Sequence, residues 1–585
     1  AYEIISSDWS SDVCSSDLVQ EVGGQINIRG SSGYSRGAGS RVMVLIDGIP
    51  MLASDNGGIY WDAIPVQHIE NIEILKGAGS ALYGSSALGG VINVLTSPIS
   101  RTPKTLINAQ GGWYPFSSHD SWQWRQDNLL SGKFHISHEN RQGKLGYRLG
   151  LGYDESPGYY QNGWFKRMNM QGKFTYHPDQ STRWSSRIFL VNDEHGVFTQ
   201  WRSAHEPFNA PLESINDYIE TSKYQVALNY SKIVSYRIAH QWRSSYYRTS
   251  FQNFLHNSDD FSTANTFRSE WQTDYQFTPS HIITVGFDGS FSNITANVWN
   301  DHTTFDGAAY IQDEFELNIR ATFNAGVRFS YSQVDEIQSN IQVNPKFGLN
   351  YKFSESWSMR TSIGRGYRVP SISERFIDTQ QGLFSVKPNP DLNPEVSWTY
   401  EIGTRITQPQ WTLNVAGFYN YFEDFIEPQP DPADGRIYFD NITDAQILGA
   451  ESRLKFQVPF LPVQQSFAYT YLEPTDLTAD TVLAYRHQHE FVSRSDIVLA
   501  DNLILSLEYQ FRSKIERVQL FPYNPETGAD NRVPIHLWNA HLQYNFTPDF
   551  TIRASASNMF QYYYVMYERN MGSTQHLQIG ISYQI

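Results

Sequence analysis

Apolar and polar residues alternate with a period of two along most of this chain. Side chains on a strand point alternately to opposite faces, so the pattern predicts strands with one apolar face. No strong 3.6-residue period appears between residues 105 and 585, and residues 503–512 and 538–546 repeat the two-residue pattern. The clearest example is the last segment, whose apolar positions are Leu577, Ile579, Ile581, Tyr583 and Ile585.

The connections between these predicted strands alternate between short and long. Thr547–Asp549 is a tight turn, whereas a long polar excursion with two prolines and a glycine joins Phe511 to Val533. Such asymmetry is typical of membrane barrels, whose sheets must close because lipid cannot satisfy an open edge. At roughly 20 to 24 residues per strand and connection, we predict an all-β transmembrane barrel of about 22 antiparallel strands.

Composition agrees with a barrel but does not prove one. Hydrophobic residues make up 40% of the 585 residues, aromatic residues make up 15%, and no apolar run could form a membrane-spanning helix. Mean hydropathy is −0.46. A soluble propeller or sandwich would look similar, but the final strand ends flush with the chain and no blade-length repeat is present.

Charge and cysteine content exclude several classes of function. A formal net charge of −16 argues against a nucleic-acid partner, because phosphate neutralisation needs clustered Lys and Arg. Cys14 is the only cysteine, so we expect no disulfide framework and no thiolate metal site. The start of the chain shows no signal peptide, and the Ser/Asp-rich residues 6–17 suggest a flexible linker or a foreign stretch.

The N-terminal part has a different texture and predicts a small α+β unit. Val42–Pro50 is an apolar strand broken by Asp47-Gly48, a strong tight-turn pattern. A second strand, Ile69–Lys76, runs into a glycine-rich stretch. That stretch lacks the Gly-Lys-Ser/Thr of a P-loop and the spacing of a dinucleotide-binding turn, so the glycines favour turns and close packing.

We therefore divide the chain into an irregular N-terminal segment (1–24), a plug (25–100) and a barrel (105–585). A barrel of this width leaves an open lumen unless something fills it, and the N-terminal unit is the obvious filler.

At this point the sequence resembles the TonB-dependent outer-membrane receptors. In the barrel, Arg365–Glu374 is similar to the family's strand motif, Asn389–Glu395 to its N-P-x-L-x-P-E element, and Asn441–Glu451 to the strand pair that follows. The plug-like segments are Asn27–Gly30, Val44–Pro50, Ile72–Gly77, Ser80–Gly84 and Gly89–Asn93.

The resemblance implies active import through the bacterial outer membrane, driven by TonB and its inner-membrane motor proteins. It also implies a monomer surrounded by outer-membrane lipid, with no cofactor and no enzymatic activity. No catalytic or phosphate-binding motif contradicts this. The short segment that pairs with TonB in the family is not visible in residues 1–24.

The resemblance also assigns residues to the plug motif and to a latch between plug and barrel. The latch would join plug charges to barrel charges, and buried pairs of this kind favour arginine. The assigned residues are Arg29, Gly30, Asp47, Gly48, Glu73, Lys76, Gly77, Tyr83, Gly84, Gly89, Gly90, Asn93, Arg365, Arg368 and Glu374.

Ligand contacts in the family come from apical plug loops and external barrel loops. A ferric siderophore is the first expectation for the cargo, followed by cobalamin and an oligosaccharide, and a passive porin is the alternative class. Haem is disfavoured because residues 371–389 contain no histidine, which leaves His68 as a lone plug histidine. The predicted ligand-binding residues are Tyr34, Arg36, Asp55, Asn56, Tyr60, Trp61, Trp201 and His205.

Overall fold

The computed structural model describes residues 3–5, 27–32, 38–256, 258–335, 338–381, 384–442, 444–518, 530, 532–567 and 569–585. Residues 6–17, with their unusual composition, lie outside the described residues. The described chain forms a small mixed sheet that packs inside a large closed barrel.

The N-terminal sheet has five strands and lies within the lumen. The strands are β1 (Glu3–Ile5), β2 (Val42–Ile46), β3 (Ile49–Pro50), β4 (Ile69–Lys76) and β5 (Gly90–Thr96). Their order is β1-β4-β5-β2-β3, and only β2 and β5 pair in parallel. A four-residue helix, α1 (Ser80–Tyr83), connects β4 to β5. Below, residues 27–32 and 38–100 are called the plug.

The predicted tight turn between β2 and β3 is confirmed. Asp47 and Gly48 have φ angles of 49° and 80°, the left-handed values of a type I′ hairpin turn. The Asp47 carboxylate accepts hydrogen bonds from the backbone N–H (2.8 Å) and hydroxyl (2.7 Å) of Thr96. The side chain that forms the turn therefore also anchors the end of β5.

Strand β2 is buried on both faces, which explains its uninterrupted apolar sequence. One face packs with Met51, Ala63 and Ile64 and reaches the barrel residues Phe189 and Val191. The other face packs against α1 and the start of β5. The plug core is therefore continuous with one side of the barrel wall.

The barrel is closed, as predicted, and its described residues contain 22 strands of eight or more residues. Neighbours in sequence pair antiparallel, and the last strand pairs with the first. The strands are β6 (Lys104–Trp113), β7 (Leu130–Gln142), β8 (Leu145–Ser156), β9 (Phe165–Tyr176), β10 (Thr182–Gly196), β11 (Tyr218–Ser235), β12 (Ile238–Phe254), β13 (Phe261–Thr278), β14 (His281–Ala296), β15 (His302–Asn318), β16 (Ala321–Val334), β17 (Gln338–Ser354), β18 (Trp357–Arg368), β21 (Glu395–Gln408), β22 (Trp411–Glu423), β25 (Ala445–Gln457), β26 (Val463–Asp476), β28 (His489–Ala500), β29 (Leu503–Arg512), β30 (Ile535–Thr547), β31 (Phe550–Ser557) and β34 (His576–Gln584).

The two ends of the barrel differ as the sequence predicted. Most turns at the end that holds the C-terminus are short, whereas the other end carries the long loops, as expected of the external side. The long loops contain a five-residue helix, α2 (Ile372–Phe376). They also contain the short strands β19 (Thr379–Gln381), β20 (Phe384–Val386), β23 (Phe425–Pro430), β24 (Ile437–Ile442), β27 (Thr481–Val482), β32 (Val565–Tyr567) and β33 (Asn570–Met571).

The outer face of the barrel carries exposed apolar side chains suited to lipid. Ile579, Ile581 and Tyr583 of β34 are 55%, 42% and 42% exposed, respectively. Aromatic rings cluster at the short-turn end, where Phe550 lies 6.0 Å from both Phe546 and Tyr583. Aromatic residues are expected at a membrane interface. No helix in the described part of the chain is long and apolar enough to cross a membrane.

Candidate functional site

Basic residues of the plug meet carboxylates of β21 and β25. The Arg29 guanidinium donates to Glu401 (2.7 Å) and, through two nitrogens, to both oxygens of Glu451 (3.0 and 3.2 Å). Lys76 reaches the same Glu451 at 3.0 Å. The Phe418 ring packs 4.2 Å from the Arg29 guanidinium. Arg29 is therefore paired in two directions and shielded from solvent by an aromatic face.

The backbone at Arg29 is held in an unusual conformation. Its φ is 54°, a left-handed value that a non-glycine residue rarely adopts, and Gly30 follows at 71°. The side-chain pairs hold this bend in place. Although burial disfavours the charged form, Glu451 and Glu401 raise the pKa of Arg29 above its ordinary value. Arg29 therefore stays charged, and its positive charge is used in the ion pairs with Glu401 and Glu451 of the barrel wall.

A second chain of charges begins at Arg41, which the sequence did not single out. Arg41 donates to Glu395 (2.5 and 3.0 Å), a residue with no exposed surface. Glu395 also accepts from Arg368, which in turn donates to both oxygens of Glu374 (2.7 and 3.0 Å). Arg41, Glu395, Arg368 and Glu374 thus alternate in sign from the plug to the external loop. Below, Arg29, Arg41 and Lys76 are called the basic face of the plug.

Helix α2 positions Glu374 and docks on the plug at the same time. Ser371 caps the helix, and Glu374 completes the capping box by accepting from the Ser371 backbone N–H (2.8 Å). The backbone N–H of Ser373 donates to the carbonyl of Asp55 in the plug (2.9 Å). The motif that contains Arg368 and Glu374 is therefore a contact between external loop and plug.

The opposite side of the plug presents acids instead of bases. Asp62 accepts from Lys223 on β11 and lies 3.5 Å from Arg167 on β9. Asp47 lies 3.5 Å from Lys173 on β9. Asp62 and Asp47 are thus both met by barrel cations, with the signs reversed relative to the basic face.

Asp55 completes the acid side. It is 1% exposed and accepts from the Ser262 hydroxyl on β13 (2.7 Å) and from the backbone N–H of Asn56 (2.8 Å). Burial raises the pKa of Asp55 above its ordinary value, and these two hydrogen bonds oppose the rise. Below, Asp47, Asp55 and Asp62 are called the acidic face of the plug.

The remaining predicted latch residues occupy other places. Glu73 accepts from Asn93 (3.0 Å), and Asn93 accepts from the backbone N–H of Gly48 (3.1 Å), so both act within the plug. Arg365 donates to Gln342 (2.8 Å) and Asn344 on the barrel. Glu73 and Asn93 therefore make these contacts within the plug, and Arg365 makes its contacts within the barrel.

The predicted glycines lie where the plug backbone passes close to other parts of the chain. Gly77 has a φ of 77°, and a Cβ there would lie 2.7 Å from Thr399 of the wall. A Cβ on Gly90 would lie 2.6 Å from the Leu75 carbonyl. Gly30 contacts Arg486 through its carbonyl (3.1 Å), Gly84 ends α1, and Gly89 lies beside Ser31. Tyr83 packs against the core of β2 and β5.

The predicted ligand-binding residues separate into groups. Tyr34 and Arg36 lie outside the described residues. Asn56 and Tyr60 are partly exposed; Asn56 closes a local turn through Gly58 (2.8 Å), and Tyr60 lies 4.4 Å from Lys223. Trp61 packs on the plug core.

The external loops carry an aromatic cluster that the sequence revealed only in part. Trp201 is 7% exposed and packs with Tyr114, Tyr159 and Phe208, whereas His205 is exposed in the same loop. Residues from four separate loops meet here, and no local sequence pattern points to Tyr114 or Tyr159.

Sequence reasoning found the segments that contain the barrel carboxylates bound by the basic face, but it did not predict that these carboxylates bind the plug. Glu395 ends the N-P-x-L-x-P-E element, Glu401 lies in the strand after it, and Glu451 ends the next matched segment. The clue available in the sequence was that these barrel segments and the plug segments resemble the same family. Arg41, Asp62, Lys173 and Lys223 had no comparable clue.

Comparison with known proteins adds the family context. The family model described as "TonB dependent receptor-like, beta-barrel" matches residues 99–512, and the "TonB-dependent Receptor Plug Domain" matches residues 14–91. A curated relative, the vitamin B12 transporter BtuB of Vibrio vulnificus (strain YJ016), is 25% identical over 492 residues. That match covers 81% of this chain and 75% of the relative.

Solved structures share the whole architecture at low sequence identity. The siderophore receptor PirA from Acinetobacter baumannii superposes with a TM-score of 0.80 at 15% identity, covering 100% of this chain and 98% of that one. The ferric yersiniabactin uptake receptor FyuA from Yersinia pestis gives 0.78 at 16% identity, with the same coverage. At these identities the likeness shows the fold.

Proposed function

The chain belongs to the TonB-dependent receptors, and we propose that it imports a ferric siderophore across the bacterial outer membrane. TonB-dependent transport follows from the family. The siderophore, the use of TonB with its inner-membrane motor proteins by this chain, and a monomeric state in outer-membrane lipid are the finer parts of the proposal.

The observation that carries the transport proposal is the buried charge contact between plug and wall. Glu395 has no exposed surface and binds bases from both the plug and the barrel. Removing one partner of such a buried pair costs about 3–5 kcal/mol. Several of these contacts would have to separate before a large ligand could pass. An external energy source coupled to the plug, rather than ligand binding alone, fits this requirement.

The proposed cargo rests on family resemblance and on the named relatives. PirA, which shares the fold, is named as a siderophore receptor, and FyuA, which also shares it, is named as a ferric yersiniabactin uptake receptor. Trp201 and Phe208 are buried in the aromatic cluster at the external end, so they would support the loops around a ligand, whereas His205 is exposed in the same loop and could contact it. We include Asn56, Tyr60 and His205, with Tyr34 and Arg36, in the proposed ligand-binding set.

Cobalamin is the second candidate, because the relative BtuB is named as a vitamin B12 transporter. An oligosaccharide is a third. These cargoes would use the same import mechanism, so only the ligand assay distinguishes them.

The experiment that tests the function is uptake of radiolabelled ligand into cells that express the receptor. We expect iron from a set of ferric siderophores to enter a TonB-positive strain and not a TonB-negative one. Uptake of labelled cyanocobalamin in place of iron would transfer the proposal to the second candidate.

A passive porin is the competing class of function. Such a barrel would admit small solutes equally in both strains and would show single-channel conductance in planar bilayers. We expect no steady conductance while the plug is seated. TonB-independent uptake would overturn the transport proposal for this chain.

A further inference from the structure

A small cavity lies between the acid side of the plug and the inner wall of β8, β9 and β10. The plug contributes His68 and Thr96, and the wall contributes Arg148, Lys173 and Arg187. The cavity has a volume of about 30 Å³. A cavity volume of about 10–15 Å³ is needed to hold one water molecule, so this cavity admits one small ion or about two waters. It is far too small for an imported ligand.

Two of the three cations around this cavity already have carboxylate partners. Arg148 donates to Glu139 (2.6 Å), and its remaining donors reach the carbonyls of the chain after β5. Lys173 lies 3.5 Å from Asp47 and donates to the Thr96 hydroxyl. These two cations are therefore balanced by local acids.

Arg187 is the cation without such a partner. Its residue is 9% exposed, and no carboxylate of the described residues lies within 4.0 Å of its guanidinium. Nη2 donates to the neutral amide of Gln225 (2.7 Å), whereas Nη1 is buried without a hydrogen-bond partner among the described residues. Asp47 is already bound by Thr96 and Lys173. Asp47 therefore acts on Arg187 only from beyond ion-pair distance, and the described wall retains one cation without a direct ion pair and one unused donor.

The plug side adds another unused polar atom. Nε2 of His68 is buried without a hydrogen-bond partner in the described structure, and His68 faces the ring of His135 at 5.8 Å. Burial and then the neighbouring Arg148 lower the pKa of His68 to about 3, so its ring is neutral at physiological pH. A neutral imidazole can donate one N–H to an anion without adding charge.

An unpaired buried charge is costly, and proteins balance it with a counter-charge. We infer that this cavity binds a small monovalent anion of chloride size, held by Arg187 and lined by His68 and Lys173. The anion balances the charge of Arg187 and joins the plug to β10, where no ion pair among the described residues does so. Water alone would satisfy the donors but would leave the charge unbalanced.

Crystals of the full-length receptor grown in bromide test the site directly. We expect an anomalous bromide peak within hydrogen-bond distance of Arg187 Nη1 and its loss when chloride replaces bromide. Refinement of only ordered water in the cavity, with no anomalous peak, would overturn the inference.

Thermal unfolding of the detergent-solubilised receptor provides a second readout. Replacing gluconate with chloride at constant ionic strength is expected to raise the apparent melting temperature by about 2 °C, because the anion binds the folded state. Arg187→Gln should abolish this halide response, whereas Arg187→Lys should keep part of it.

The matched control is Arg243→Gln on β12, because Arg243 also lies on the inner wall but already pairs with Glu270 (3.2 Å). It should leave the halide response unchanged. An undiminished response in Arg187→Gln would refute the site. If that variant does not assemble, the bromide crystal of the unaltered protein still decides.

Discussion

The two sides of the plug meet the wall with opposite charge. On the basic face, plug arginines and a lysine bind the carboxylates of β21 and β25, and barrel arginines extend the network. On the acidic face, plug aspartates bind barrel lysines, an arginine and a serine of β9, β11 and β13. The plug therefore carries a charge separation across the lumen, and the wall carries its complement.

The difference between these faces concerns how completely the charges are matched. Glu395 and Glu451 each bind two bases, and their side chains are 0% and 16% exposed. The acidic face has fewer acids than the neighbouring wall has bases, and Arg187 is the base left over. We therefore expect the basic face to hold the plug more strongly and the acidic face to separate first.

The largest expected effect comes from breaking the basic face at Glu395. Glu395→Ala would leave Arg41 and Arg368 buried without their shared partner, which we expect to weaken plug docking by about 3–5 kcal/mol. Hydrogen–deuterium exchange should show faster exchange in β2, β4 and β5. Unchanged exchange there would contradict the assigned strength. An exposed external-loop variant, Asp434→Ala, serves as the control.

A smaller effect is expected on the acidic face at Asp62. Asp62→Asn keeps the shape but removes the charge that faces Lys223 and Arg167, at a cost of about 1.5–3 kcal/mol. Faster exchange should be confined to residues 59–64 and the adjoining β11. If Asp62→Asn loosened the plug more than Glu395→Ala, the proposed ranking of the two faces would be wrong.

A smaller effect on stability is expected from Ser262→Ala, on the barrel residue that contacts the acidic face. The substitution removes one hydrogen bond to the buried Asp55 and should cost about 1 kcal/mol. The apparent melting temperature of the detergent-solubilised receptor measures it. Ser290→Ala is a comparison variant, since Ser290 donates to Asp306 of the neighbouring barrel strand (3.1 Å). An equal loss in both variants would argue against any special contribution from the plug contact.

The smallest effect at neutral pH is expected for His68→Gln. The pKa of His68 is lowered to about 3 in the folded protein, against about 6.5 in an unfolded chain. The unfolded state therefore binds the proton first, so this histidine lowers stability as pH falls from about 6.5 towards 3. The variant should match the native protein at pH 7.5 and melt at a higher temperature than it at pH 4. A parallel acid dependence in both would refute the assignment, and His205→Gln in an exposed loop is the control.

The barrel, the α+β plug and the tight turn of the plug could be predicted because each depends on local patterns. Alternation in residues 577–585 specifies a strand with one lipid face, and Asp47-Gly48 specifies the hairpin turn. Resemblance added the segments that contain Arg29, Glu395 and Glu451. It did not say which charges meet.

The candidate sites were less predictable because their partners are distant in sequence. Arg29 and Glu451 are 422 residues apart, and nothing in either segment specifies the other. Arg365 and Arg368 lie three positions apart in one motif, yet only Arg368 binds the Glu395 that Arg41 also binds. Strand pairing and side-chain direction decide between them.

The sequence by itself determined the strands, their alternation of lipid-facing and lumen-facing residues, and the presence of a domain able to fill the lumen. Period-two patterns and turn residues act over a few positions, so they can be read locally. Tertiary structure alone decided the opposite polarity of the two plug faces, the burial of Asp55 against Ser262 and the position of Arg187, which has no direct ion pair among the described residues. Those features depend on which residues of the plug and the closed wall come within a few ångströms of each other, because charge pairing is a property of distance in space.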